Sequence, residues 1–181
     1  MRTLRTIEVV PHDPEWKHTF EQEVAKLRSV FGRAYLNSHH IGSTSVPGLH
    51  AKPTIDIVLE VSKGTRIPSF YPQMEDIGYT CRGECLDAVI PGIPGRFYFV
   101  QQQGPTHLIH THAYETGHAD IDDKLTLRDY LITHAGVATS YGKLKLKLAR
   151  QFTHDNIGYM RGKDNFLQQT IMQARAWKNA R

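Results

Sequence analysis

Cysteine is scarce in this chain: two occur in 181 residues, Cys81 and Cys85. Two thiols make no disulfide framework, and their spacing is not that of a Cys-x-x-Cys zinc knuckle or redox motif. Long apolar runs are also missing, and none approaches the roughly 18 to 20 residues that span a bilayer. Met1-Arg2-Thr3-Leu4-Arg5 has basic residues but no apolar stretch behind them, so no cleaved secretory signal is expected. These absences lead to the expectation of a cytoplasmic protein with no membrane partner. Charge of one sign is lacking too, since 22 Lys+Arg face 18 Asp+Glu for a net of +4. That bias suits an anionic small ligand and falls short of what a nucleic-acid binder shows. Repeats, low-complexity stretches and long linkers are absent, so a single domain over residues 1–181 is the expectation. The sequence says nothing of oligomeric state.

What is present is ordinary apolar content, 40%, and an unusual supply of eleven histidines. They cluster at 39–40, at 107, 110 and 112, and at 118. Residues 7–10 read as a first strand. Asp13-Pro14-Glu15 then reads as a helix start, with Asp13 capping and Pro14 at the first helical position. Trp16, Phe20, Val24, Leu27 and Phe31 follow on one helical face, and Gly32 ends it. Residues 35–41 and 54–61 read as strands. In the second, Ile55, Ile57, Leu59 and Val61 share one face, while Thr54, Asp56, Val58 and Glu60 share the other. A short helix over 68–76 and strands at 79–84, 96–102 and 106–115 follow. From about residue 122 the periodicity turns helical. The fold class expected is mixed α/β (α+β), with a helical C-terminal third.

Five groups can carry chemistry. Gly42-Ser43 follows a strand, where a glycine turn lets backbone N–H groups approach phosphate oxygens. Asp56, set in an apolar strand, can hold Mg²⁺ bridging to such phosphates. The same dipeptide also fits an ordinary turn. Lys52, just before that strand, can touch a phosphate or simply be solvated. Arg96 leaves the Gly92-Ile93-Pro94-Gly95 turn and can clamp an anion bidentately, or sit exposed on a hairpin. His110 and His112 lie two apart on one strand face, suited to binding a metal or moving a proton. Lys143, Lys145, Lys147 and Arg150 form a basic run on a helix, read as a solvated amphipathic face.

The run Gly42-Ser43-Thr44-Ser45-Val46-Pro47-Gly48-Leu49 resembles the GrpB-type (UPF0157) family. So do Ala51-Lys52-Pro53, Ile55-Asp56-Ile57, Arg82-Gly83-Glu84, Gly92-Ile93-Pro94-Gly95-Arg96 and Leu127-Arg128-Asp129-Tyr130-Leu131. Tyr141, Lys145, Tyr159 and Lys163 continue the resemblance almost to the end of the chain. That family is placed in the nucleotidyltransferase fold superfamily, and its domain also occurs fused to dephospho-CoA kinase. The resemblance implies a nucleotidyltransferase-like mixed sheet flanked by helices. It implies phosphate binding at Gly42, Ser43 and Thr44, and metal binding at Asp56. The usual Asp-x-Asp or Asp-x-Glu is replaced here by Asp56-Ile57-Val58, and a replacement for the second carboxylate would have to come from Glu60, Glu84 or Glu115, or from His110 and His112. Two functions follow as expectations. One is a Mg²⁺-dependent nucleotidyl transfer from a nucleoside triphosphate to an unknown acceptor, with Asp56, His110 and His112 as catalytic groups. The other is an inactive module of the same fold that binds a nucleotide or another phosphorylated small molecule.

Overall fold

The computed structural model describes residues 6–84 and 92–181. Residues 85–91, Cys85 among them, and the basic N-terminal pentapeptide lie outside the described residues. Helix α1 (Glu15–Phe31) forms where the apolar stripe requires it. Asp13 accepts the Glu15 N–H at 3.0 Å and so satisfies a donor of the first turn. Trp16, Leu27 and Phe31 are buried.

Among the described residues the sheet has five strands: β1 (Tyr35–Ile41), β2 (Ile55–Val61), β3 (Tyr79–Cys81), β4 (Phe97–Gln103) and β5 (Thr106–Glu115). Their spatial order is β1-β2-β5-β4-β3. β2 and β5 are parallel, and every other pair is antiparallel. The mixed sheet has two unlike faces, as the period of two in residues 54–61 requires. Ile55, Ile57, Leu59 and Val61, with Ile109, Ala113 and Phe99 of the neighbouring strands, pack against α1 and α2 (Tyr71–Asp76). The other face carries Asp56, Val58 and Glu60 beside His110, His112 and Tyr114.

Three helices complete the chain: α3 (Ala119–Thr133), α4 (Ala135–Gln151) and α5 (Asn156–Asn179). Ile121 and Leu125 of α3 pack on Ile41, Val58 and Tyr114, which covers part of the polar sheet face. Val46 and Leu49, after β1, pack with Leu131, Ala138 and Tyr141 of the helices. Arg175 grips Asp123 through two bonds of 2.8 and 2.6 Å, and Lys178 pairs with Asp122, so α5 is tied to α3. Among the described residues no helix is long and apolar enough to cross a membrane.

Several expected elements are corrected. Residues 7–10 are not a strand. Val10 exchanges two bonds with Ala51, and the Ile7 N–H instead bonds Thr153, so the segment's polar groups are divided between two neighbours and no ladder forms. β3 ends at Cys81, not 84; two further bonds to Tyr98 follow, with the chain turning at Gly83. The helix expected over 68–76 is a 3₁₀ turn at Ile67–Phe70 followed by α2, with Pro72 in the first turn of α2 where it needs no N–H. α3 starts at Ala119 rather than 122, because His118 Nδ1 accepts the Asp120 N–H at 3.2 Å. The basic run is not wholly solvated: Lys145 is buried on the apolar side of α4.

Gly42 is the tightest point of the design. Its φ is +71°, and a Cβ there would stand 2.6 Å from Asp56 Oδ2. Gly42→Ala therefore meets both backbone strain and a clash, and is expected to cost about 1–3 kcal/mol in urea unfolding. An alanine variant as stable as the parent would contradict this.

Candidate functional site

β1 delivers the chain to Gly42, and the 3₁₀ turn Ser43–Ser45 sends it away across the end of β2. The Ser45 hydroxyl donates to the Gly42 carbonyl at 2.6 Å and fixes the turn. Ile41 pairs with Asp56 across the strands, so the turn begins one residue beyond the carboxylate's own partner. Turn and carboxylate thus face one hollow of about 220 Å³. Gly42, Ser43, Asp56 and His112 form its sheet side, Lys124 and Arg128 of α3 face them, and Tyr141 and Leu167 close the end toward α4 and α5.

Asp56 is held by histidine. His110 Nδ1 lies 3.1 Å from its Oδ1, and His110 Nε2 lies 2.9 Å from His107 Nδ1. Burial works against the Asp56 charge, but the His110 bond and charge, with Lys124 behind them, outweigh it and hold the carboxyl below its ordinary value. His112 is stacked on Tyr98 at 5.0 Å, and burial, with Lys124 adding to it, keeps its imidazole neutral.

The other residues singled out in the sequence lie elsewhere. Thr44 is buried and braces the turn, with His40 Nε2 at 3.0 Å from its hydroxyl and the Thr54 carbonyl at 3.4 Å. Burial drives His40 down to about 4, so that ring is neutral. Lys52 stands 5.2 Å over the Tyr159 ring and 3.5 Å from Asn156 Oδ1. Arg96 is buried near Tyr114 and His112, not on the wall of the hollow. Glu60 points from the same face as Asp56, but four residues further along β2, roughly 13 Å at strand rise. There it bonds His39 at 2.6 Å and Thr116 at 3.2 Å. Glu84 accepts the Gly95 N–H at 2.8 Å, and Glu115 is exposed at the far end of β5.

Among the described residues, therefore, no second carboxylate joins Asp56. Among the described residues no three His, Cys, Asp or Glu side chains gather to hold a metal ion. Mg²⁺ demands six oxygen ligands in near-octahedral array. Here one carboxylate is offered, with one oxygen engaged by His110 and the other against Gly42. The donor set of the described residues does not fit a Mg²⁺ ion held by the protein's own side chains.

Side chains that the sequence reading did not assign to the site supply cations instead. Besides Lys124 and Arg128, Lys145 of α4 is 2% exposed, and its Nζ lies 4.3 Å over the Tyr141 ring. Burial, and then Lys163, push Lys145 down to about 7. Lys163 of α5 stands 4.6 Å over the Tyr159 ring, and burial lowers it too. One signal could have found Lys145: it falls four residues after Tyr141 and three before Leu148, inside the apolar stripe.

A five-stranded mixed sheet with helices on both faces and, under its C-terminal helices, a hollow that mixes charged and apolar walls defines an α/β fold with a candidate ligand site. The chain belongs to the GrpB family, whose model, described as GrpB protein, matches residues 6–173. It is 38% identical over 98% of its length to the UPF0157 protein YqkA of Bacillus subtilis, and spans half of that relative. It is 33% identical to the UPF0157 protein BH1888 of Halalkalibacterium halodurans, covering 94% of this chain and 84% of that one. The crystal structure of the conserved protein GrpB from Enterococcus faecalis superposes with a TM-score of 0.85 at 32% identity, covering 94% of this chain and 99% of that one. The Cid1 poly(U) polymerase bound to MgATP reaches only 0.44 at 13% identity over 76% of this chain and 45% of that one, a likeness that carries no weight for function.

Lys145 makes stability depend on pH in a defined direction. Its value falls from 10.5 to about 7 on folding, so between those values the unfolded chain binds more protons and stability rises with pH. Lys145→Met is expected to raise the Tm at pH 7, with a gain that shrinks toward pH 10. A gain independent of pH in calorimetric melts, or a loss at pH 7, would contradict the buried charge.

Proposed function

We propose that this chain binds a phosphorylated small molecule of the nucleotide class, with its phosphate end between the Gly42-Ser43 turn and the α3 cations. The observation that carries this reading is the hollow itself: a glycine-serine turn and one carboxylate face Lys124 and Arg128 across about 220 Å³. That volume lies below the roughly 300–1,000 Å³ of pockets that enclose a drug-sized ligand. It suits the phosphate end, with the remainder of the molecule toward solvent. Arg128 is held in position at the hollow, since its Nη1 donates to the His40 carbonyl at 3.2 Å and its Nε and Nη2 both lie 2.7 Å from Asp129 Oδ1, and a phosphate would share it with that carboxylate. The resemblance of the Gly42–Leu49 run to its family supports the same assignment. Among the relatives, a dephospho-CoA kinase of Mycolicibacterium paratuberculosis is 38% identical over 58 residues, covering 30% of this chain and 14% of that one.

The test is a thermal-shift series with the four nucleoside triphosphates, CoA and dephospho-CoA. At 100 times Kd, a ligand adds about 2.7 kcal/mol, or roughly 5–10 °C for a protein of this size. At least one is expected to do so, and Arg128→Gln to abolish the shift. No shift with any of the six would contradict the reading.

A second reading, nucleotidyl transfer, is favoured by one feature, the hydrogen-bonded series Asp56–His110–His107. In it an acceptor hydroxyl attacks the α-phosphorus, its proton passes to Asp56, and pyrophosphate leaves. Pyrophosphate release would then fall roughly 100-fold or more in His110→Gln. No release from any triphosphate in the parent protein removes this reading and leaves binding intact.

A further inference from the structure

Lys124 and Arg128 on the wall of the hollow are paired with Asp120 at 3.4 Å and Asp129 at 2.7 Å, but behind the hollow lie Lys145 and Lys163, for which the described residues supply no carboxylate within ion-pair distance. Lys145 Nζ is buried and has no hydrogen-bond partner among the described residues. The ring of Tyr141 is its near neighbour, and Tyr141 lines the hollow one helical turn before it. On α5 the arrangement is mirrored: Leu167 lines the hollow, and Lys163 sits one turn before it. Lys163 packs over Tyr159, and Lys52 approaches the same ring. Asp56 attracts both Lys145 and Lys163, and Ser43 and Tyr141 line the same hollow as Asp56, so turn, carboxylate and lysines belong to one cluster.

A buried ammonium with no anion beside it is costly, and proteins keep such groups where something pairs with them. One carboxylate, already engaged by His110, cannot balance these cations. The same cations repel a divalent metal ion from the spot where the fold's resemblance would place one. We propose that Lys145 and Lys163 receive the terminal phosphate of a polyphosphate ligand and neutralise it in place of a divalent metal ion. This rests on the binding reading above and adds to it the ligand's chemistry: an extended polyphosphate tail, taken up without Mg²⁺. The lowered affinity of Lys145 for its proton in the empty protein fits this, since an arriving phosphate supplies the counter-charge the ammonium lacks. As compact point charges on flexible stems, lysines suit a tetrahedral phosphate group that a metal would otherwise orient.

Inorganic tripolyphosphate is the probe, with affinity measured calorimetrically in EDTA and again in excess Mg²⁺. It is expected to bind at least as tightly in EDTA. Lys145→Met and Lys163→Met are each expected to weaken it about tenfold or more, or 1.4 kcal/mol, without lowering the Tm of the free protein. Lys143→Met, on the exposed side of the same helix, is the control and is expected to change nothing. Binding that appears only with Mg²⁺, or an affinity unmoved in both folded lysine variants, overturns this proposal while leaving the hollow as a phosphate site. If neither tripolyphosphate nor any nucleotide binds with or without Mg²⁺, the binding reading itself falls.

Discussion

The backbone of Gly42 and the carboxylate of Asp56 share a space in which no side chain fits between them. Much of the site depends on that approach. It requires a residue without a Cβ, held at a positive φ that other residues adopt only with strain. It requires β1 and β2 to be paired with Ile41 opposite Asp56. And it requires a bracing layer behind the turn, supplied by Ser45 on the Gly42 carbonyl and by Thr44 between His40 and the Thr54 carbonyl. Residues that read as ligand-binding in a motif thus divide into two kinds here. Gly42 and Ser43 face the hollow, while Thr44 and Ser45 hold the turn that makes it.

The electrostatic balance of the site follows from its two walls. The sheet offers one ionised carboxylate, an engaged histidine and a neutral buried one. The helices offer Lys124 and Arg128, paired with Asp120 and Asp129, at the rim and Lys145 and Lys163 behind Tyr141 and Tyr159. A metal centre of the two-carboxylate kind would need the reverse balance, because clustered carboxylates recruit cations and clustered ammonium groups recruit anions. Val58, buried against α3, stands where the second carboxylate of that arrangement would be. The same apolar side chain that anchors α3 to the sheet thereby removes a metal ligand.

Most of the fold could be read from the sequence, because it is written in periodicity. The 3.6-residue stripe of α1 and the alternation of Ile55, Ile57, Leu59 and Val61 each record which side is buried. Such patterns lie within one element, so no tertiary knowledge is needed to see them. Residues 7–10 misled because alternation says nothing of whether a partner strand lies alongside. The site was legible only in part. Gly42, Ser43 and Asp56 stand out as residue types unusual for their positions. Lys145 and Lys163 do not, because a helix lysine, in a basic run like Lys145 or between Arg161 and Asp164 like Lys163, reads as solvated until the packing of α4 against α5 is known. Glu60 looked like a candidate second carboxylate for the complementary reason: it shares a face with Asp56, but strand rise separates them beyond the span of one ion.

The central claim is that the glycine-serine turn, Asp56 and the two interior lysines form a single anion site. Its most direct test is diffraction from crystals soaked in tripolyphosphate without divalent metal. The account predicts phosphate density inside the hollow, with oxygens at hydrogen-bond distance from Ser43 and from Lys145 and Lys163 Nζ. Density confined to the outer surface of α4 at Lys143, Lys147 and Arg150, with the hollow containing only solvent, would contradict it.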